Sequence, residues 1–162
     1  MNEHELLPRR VQESKSELSE LALPNDANGL GDLLGGKLMH LMDIAGSLAA
    51  ARHSRRYVVT ASFDHMNFLA PVRIGQLVLL YSSVNRVFRT SMEVGVKACV
   101  EDLRTGERTK VSSAYLTFVA LDESRRPVPV APVVPETEEE KRRYEQAGQR
   151  RVYRLELRNK GK

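Results

Sequence analysis

Asp43 lies in a segment, Lys37 to Arg52, whose other residues are mostly apolar or small. At about 100° per residue it shares a narrow polar stripe with His40 and Ser47. Gly46 and Ala49-Ala50-Ala51 make the same segment thin enough for a second backbone to come close. A carboxylate there is costly unless paired or used, and its use would be as a general base or a nucleophile. A helix face that meets water is the other reading. Gly35-Gly36 stands at the start of the segment, where the first N–H groups of a helix are unpaired and carry partial positive charge. A glycine at that point lets a carbonyl carbon approach the amide, the geometry wanted for acyl transfer, although a tight turn alone would also place glycines there. Asn28 precedes the pair and offers a donor and an acceptor to a water or a carbonyl, or simply a turn with Gly29.

Other catalytic patterns are absent. The sequence holds no Gly-x-Ser-x-Gly elbow, Walker loop, dinucleotide fingerprint or His-Glu-x-x-His helix. His4, His40, His53 and His65 do not pair at metal spacing and are read as core or surface residues, so no metal is expected. Cys99 is the only cysteine, which excludes intrachain disulfides and thiolate clusters and suits a reducing compartment. Residues Met1 to Glu20 mix acids and bases without an apolar core, so no secretory signal is expected. With no long uncharged apolar run there is no candidate membrane span, and a cytoplasmic location is the expectation.

The elements that must position these residues follow from pattern. Residues 1 to 23 are polar and end at Pro24-Asn25, which reads as a leader outside the main domain. Four of the ten glycines fall in Asn28 to Gly36, a loop that runs into the apolar helix of Lys37 to Arg52. Tyr57 to Phe63, Leu77 to Val87, Ser91 to Leu103 and Arg108 to Leu121 read as strands rich in Val, Thr, Tyr and Phe. In the third, Met92, Val94, Val96, Ala98 and Val100 alternate with Glu93, Gly95, Lys97, Cys99 and Glu101, as in a sheet covered on one face. Arg104 to Glu107 reads as a hairpin turn with Gly106 at positive φ. A buried helix followed by consecutive antiparallel strands implies an α+β domain whose sheet wraps the helix. Four of the seven prolines fall between Pro127 and Pro135 and make an extended connector. Glu136 to Arg158 then places acids before bases, matching a helix dipole, and predicts a solvated helix free to pack on a neighbouring subunit.

Length and charge set outer bounds. The 162 residues suit one domain, and 41% hydrophobic with 28% charged residues is ordinary globular composition. Of the net charge of +4, residues 1 to 135 contribute +1 (16 bases, 15 acids) and residues 136 to 162 contribute +3 (9 bases, 6 acids). With the excess in the tail, few aromatic residues and no tryptophan, nucleic-acid binding is not expected, whereas a small anionic ligand fits.

The stretch Pro24-Asn-Asp-Ala-Asn28-Gly-Leu-Gly-Asp-Leu-Leu-Gly-Gly36-Lys-Leu-Met-His-Leu-Met-Asp43-Ile-Ala-Gly46 resembles the signature of hotdog-fold acyl-CoA thioesterases of the cytosolic acyl-CoA hydrolase type. Thr60-Ala-Ser-Phe-Asp64, Phe68-Leu-Ala-Pro71-Val-Arg-Ile-Gly75, Arg89-Thr-Ser-Met-Glu-Val94, Phe118-Val-Ala-Leu-Asp122 and Pro135-Glu-Thr-Glu-Glu-Glu-Lys141 resemble the same family in order and spacing. The resemblance covers nearly everything after residue 20. It implies a hotdog domain over residues 24 to 134 with a charged helical tail over 135 to 162. It also implies a dimer whose two sheets join, often as a trimer of dimers, that is, a homohexamer, with active sites between subunits.

By motif position Asn28 and Asp43 take the places of the family's catalytic asparagine and aspartate, and Thr60 falls where a strand residue lines the same pocket. The implied activity is hydrolysis of fatty acyl-CoA to fatty acid and CoA-SH, with coenzyme A as part of the substrate and no separate cofactor. Asp43 would act as base or nucleophile, Asn28 would orient water or carbonyl, and the Gly36 amide would receive the oxyanion beside Gly35. Arg89, Thr90 and Ser91 would meet the pantetheine arm, with Arg55, Arg56, Arg150 and Arg151 as candidates for the phosphates. Leu34 departs from the histidine or phenylalanine many relatives carry before the glycine pair, which bears on acyl-chain selectivity. A hotdog hydroxyacyl dehydratase would need a His-Phe-Pro-Gly type motif and a helix glutamate that this chain lacks. A non-catalytic acyl-CoA binder would have lost Asn28 or Asp43.

Overall fold

A computed structural model describes residues 6–161. Its centre is α1 (Gly35–Ser54), which buries Leu38, Leu41, Met42, Ala45, Ala49 and Ala50 against one face of an antiparallel sheet. That sheet contains β2 (Ser16–Leu21), β3 (Tyr57–Phe68), β4 (Leu77–Val87), β5 (Ser91–Glu101) and β6 (Arg108–Leu121), in the order β2-β4-β5-β6-β3. Two-residue strands β1 (Arg9–Arg10) and β7 (Val133–Val134) pair in parallel beside it. The chain closes with α2 (Glu138–Lys160), capped by reciprocal bonds between Thr137 and Glu140.

Small residues set how closely α1 lies on the sheet. A Cβ at Gly46 would stand 3.0 Å from the ring of Phe118, itself fully buried on β6. Ser82 on β4 donates a 2.6 Å hydrogen bond to the Ala45 carbonyl, tying helix to strand through the helix backbone. The alternation in β5 holds on the α1 side, where Met92, Val94, Val96, Ala98 and Val100 are buried, but the opposite face is not left to water as expected, since Glu93 and Cys99 are buried there as well. Leu103 falls outside that strand, and the Asp102 to Glu107 hairpin turns on Gly106 at φ 73°.

Three expectations need correction. The polar leader is part of the sheet: β2 pairs with β4 from Ser16↔Ser82 to Leu21↔Leu77. An alternating polar edge strand with only Leu18 and Leu21 as large apolar residues gives little periodic signal. The first predicted strand runs on to Phe68, because bulges between Thr60 and Ser62 and between Asp64 and Asn67 carry it past the break in its pattern. The C-terminal helix is also more than a solvated rod. It covers part of the outer face of its own sheet through Arg86, Arg150, Arg151 and Arg154.

Candidate active site

The loop before α1 is held mainly by its own backbone and by Asn28. Asn28 N–H donates to the Asp32 carbonyl at 2.7 Å, while its side-chain Oδ1 accepts from Leu30 N–H at 2.9 Å and Asp32 N–H at 3.1 Å. Only a carbonyl oxygen can receive two backbone N–H groups, so the Asn28 NH₂ is the part left for a ligand. Leu33 N–H reaches the Val72 carbonyl at 2.7 Å and Leu34 N–H the Asp26 carbonyl at 2.8 Å, which fixes the loop to its neighbours.

At the helix start the Leu34 carbonyl accepts from Lys37 and Leu38 N–H, and Leu34 gives no side-chain cap. The N–H groups of Gly35 and Gly36 therefore stand at an uncapped, exposed helix N-terminus. A Cβ on Gly35 would come 3.1 Å from the exposed Phe68 ring, so a larger residue there would have to push the ring aside by a few tenths of an ångström. A Cβ on Gly36 would meet nothing within 4 Å, so the fold of this chain does not itself demand glycine there. Beside the helix start opens a cavity of about 430 Å³ lined by Asn28, Gly35, Leu38, Phe68, Leu69 and Val72, among others. Leu30, Leu34, Phe68 and Leu69 add exposed apolar surface around this region.

Asp43 is half-buried on α1, and its Oδ1 accepts a 2.6 Å hydrogen bond from the Thr60 hydroxyl. Thr60 pairs with Phe118 on the helix side of the sheet, and the bulge at Ala61 returns Ser62 to the opposite side, across from Thr117. The bulge thus separates a residue aimed at α1 from one aimed away from it. His40, on the same stripe, is exposed, and Ser47 spends its hydroxyl on the Ile44 carbonyl.

Asp43 and the glycine pair do not converge within one chain. Gly36 and Asp43 are seven residues apart on α1, and seven residues rise about 10 Å and return to nearly the same side of the helix. An oxyanion donor stands about 3 Å from the carbonyl oxygen, and a base acting through one water stands about 6 Å from the carbonyl carbon, still short of this rise.

The residues expected to meet CoA lie at the β4–β5 turn. Phe88 N–H bonds the Ser91 carbonyl at 2.7 Å, while the carbonyls of Arg89 and Thr90 accept from Val130 and Ala120 N–H. Ser91 Oγ accepts from Arg151 on α2 at 3.4 Å. Arg150 does not fit a free phosphate ligand: its Nε and Nη2 bind both oxygens of the buried Glu93 at 3.0 and 2.7 Å. The pair competes directly with any phosphate for the same guanidinium face. Arg55 and Arg56 follow the far end of α1, Arg55 as an exposed left-handed C-cap at φ 56°.

Sequence reasoning missed the Glu93 network and the Phe68 contact. The first had a signal in Arg150 and Arg154, which are spaced i,i+4 on one helix face. Among the described residues no group of three or more His, Cys, Asp or Glu side chains could hold a metal ion, and no helix is long and apolar enough to cross a membrane.

One long helix laid across a five-stranded antiparallel sheet is the hotdog arrangement, and the comparisons agree. The family model of the thioesterase superfamily matches residues 30–107. The chain is 49% identical over 132 residues to YkhA, an uncharacterised acyl-CoA thioester hydrolase of Bacillus subtilis, covering 82% of this chain and 77% of that one. It superposes with a TM-score of 0.89 on an apo hexameric acyl-CoA thioesterase that is 41% identical, covering 93% and 97% of the two chains. An acyl-CoA hydrolase of Staphylococcus aureus, solved with butyryl coenzyme A, coenzyme A and coenzyme A disulfide, is 33% identical with a TM-score of 0.87, covering 94% and 93%. That enzyme has also been solved with an aspartate, an asparagine and a threonine each changed to alanine. The chain belongs to the thioesterase superfamily, within its acyl-CoA thioester hydrolases.

Proposed function

We propose that the protein hydrolyses fatty acyl-CoA to free fatty acid and CoA-SH in cytoplasmic lipid metabolism, at sites each built from two copies of the chain. The observation that carries this reading is the rise of about 10 Å along α1 between the open Gly36 amide and Asp43. An oxyanion donor and a base that far apart in one chain complete a site when each meets its counterpart from a partner. β3 suits such pairing, as a sheet edge carrying exposed Tyr57 and Val59. A trimer of such dimers is the assembly we propose.

In this scheme the thioester oxygen takes hydrogen bonds from Gly36 N–H and the Asn28 NH₂ of one chain. Asp43 of the other chain removes a proton from water as the water oxygen bonds to the carbonyl carbon. Thr60 holds one carboxylate oxygen and leaves the other to the water. The tetrahedral intermediate collapses by breaking the carbon–sulfur bond; the sulfur leaves with the electron pair and takes up the proton that Asp43 removed from water, which releases CoA-SH and restores the carboxylate. A thiolate is a far better leaving group than an alkoxide or an amide anion and needs no strong general acid, which accords with a site built without histidine.

A thiol-release assay over acyl-CoA chain lengths tests the activity, and no release from any length would refute it. Co-expression of Asn28→Ala and Asp43→Ala chains with different tags tests the architecture. A mixed dimer is expected to regain one intact site and turn over far faster than either parent. If all groups came from one chain, the mixed dimer would stay inactive. Single-turnover hydrolysis in ¹⁸O-water separates base from nucleophile, since label in the Asp43 carboxylate would exclude the general-base route.

A further inference from the structure

Arg150 and Arg151 are neighbours in sequence with opposite circumstances. Arg150 is paired at both ends with Glu93 and lies over the Tyr115 ring at 3.6 Å. Arg154, one turn on, binds Asp64 at 2.8 Å and stands 3.5 Å from Glu93. Glu93 is also met by the Asn85 amide at 3.1 Å. Arg151 has the Ser91 hydroxyl at 3.4 Å and the Phe88 ring at 4.2 Å, and no carboxylate within ion-pair distance among the described residues. Its partial burial and the nearby Arg154 both disfavour its charge.

Arg86 shares this condition on the other flank of Phe88, at 5.7 Å from the ring. It stacks on Tyr144 at 4.2 Å, donates to the Tyr144 carbonyl and fills the space a Cβ on Gly148 would need. Four guanidiniums therefore meet two carboxylates, and the two uncompensated charges both lie beside Phe88 at the β4–β5 turn. Such a surplus, half out of water and next to a hydroxyl, suits a doubly charged phosphate monoester.

We infer that Arg151, with Ser91 and the field of Arg86, binds a phosphate of the nucleotide end of acyl-CoA, and that Glu93 is the positioning residue that sets Arg151 in place by anchoring α2. The inference rests on the acyl-CoA reading above. It gives α2 a task in substrate binding and divides its arginines into one ligand and two anchors.

The test compares kcat/KM for an acyl-CoA with kcat/KM for the same acyl group on pantetheine, which lacks the nucleotide. Arg151→Ala is expected to lower the ratio of the two at least tenfold, and Arg151→Lys to lower it less, because it keeps a charge. Glu93→Gln is expected to lower the ratio about threefold, since it loosens α2 without removing Arg151. Damage to the fold alone would reduce both substrates together and leave the ratio unmoved, and an unmoved ratio in Arg151→Ala overturns the inference. So does a wild type that shows no preference for acyl-CoA over acyl-pantetheine. A wild type inert toward both refutes the hydrolase reading instead, and calorimetric titration with CoA and with pantetheine then decides the phosphate site by the same tenfold criterion.

Discussion

Each face of the sheet carries a carboxylate that is partly or wholly hidden from water, and the two are treated in opposite ways. Glu93, on the α2 side, is fully buried and satisfied by two guanidiniums and an amide. Asp43, on the α1 side, is half-buried and has one hydroxyl on one oxygen. A saturated carboxylate has nothing left to give a substrate and serves as an anchor; an undersatisfied one retains a lone pair for a proton. The surroundings match. α1 is packed by small and aliphatic side chains, α2 by arginines, so position on the inner face depends on shape and on the outer face on charge.

The largest expected effect comes from breaking the saturated side. Arg150→Met should destabilise the fold by about 3 kcal/mol, because it leaves Glu93 buried with only Arg154 to compensate; urea denaturation reads this, and a loss under 1 kcal/mol would show that Glu93 does not anchor α2. Asp43→Ala should lower kcat with acyl-CoA a hundredfold or more, about 2.7 kcal/mol in the barrier, with no comparable loss of stability. Asn28→Ala should also lower kcat, and near-wild-type turnover in either variant would remove that residue from the site.

Gly46→Val tests the shape-determined face. It should cost about 2 kcal/mol by crowding Phe118, by an amount that does not change between low and high salt. The smallest effect concerns His53, buried at the last turn of α1, where Nε2–H donates to the Ala131 carbonyl at 2.8 Å. Burial pushes its pKa below the usual imidazole value. The unfolded chain then binds the proton first, so stability is fully present above about pH 6.5 and falls as pH drops toward the folded value. The slope is at most about 1.4 kcal/mol per pH unit, and His53→Gln should remove it from a pH series of melting curves.

The helix, the inner alternation of β5 and the hairpin at Gly106 were legible because each rests on local periodicity or one backbone requirement. Asn28, Gly36 and Asp43 could be singled out because each breaks its local pattern: glycines before a helix, a carboxylate among aliphatics. β2 was not legible, since an edge strand with one face to water can be almost wholly polar and takes its identity from pairing with β4. The opposite fates of Arg150 and Arg151 were equally hidden. Both are arginines on one helix, and only the fold brings Glu93, 57 residues earlier in the chain, under one of them. The partner of Asp43 was available only through resemblance, because nothing local to Thr60 marks it as facing α1.

On the proposed two-chain site, the seven-residue interval between Gly36 and Asp43 would make catalysis a matter of mass action. If neither copy holds a whole site, activity per chain follows the fraction of chains associated, so dilution below the dissociation constant of the dimer should silence every site while leaving folded protein. The total rate would then rise with the square of enzyme concentration at the dilute end and linearly once the chains are paired. Cellular abundance would become a control on thioester hydrolysis, set by the pitch of one helix.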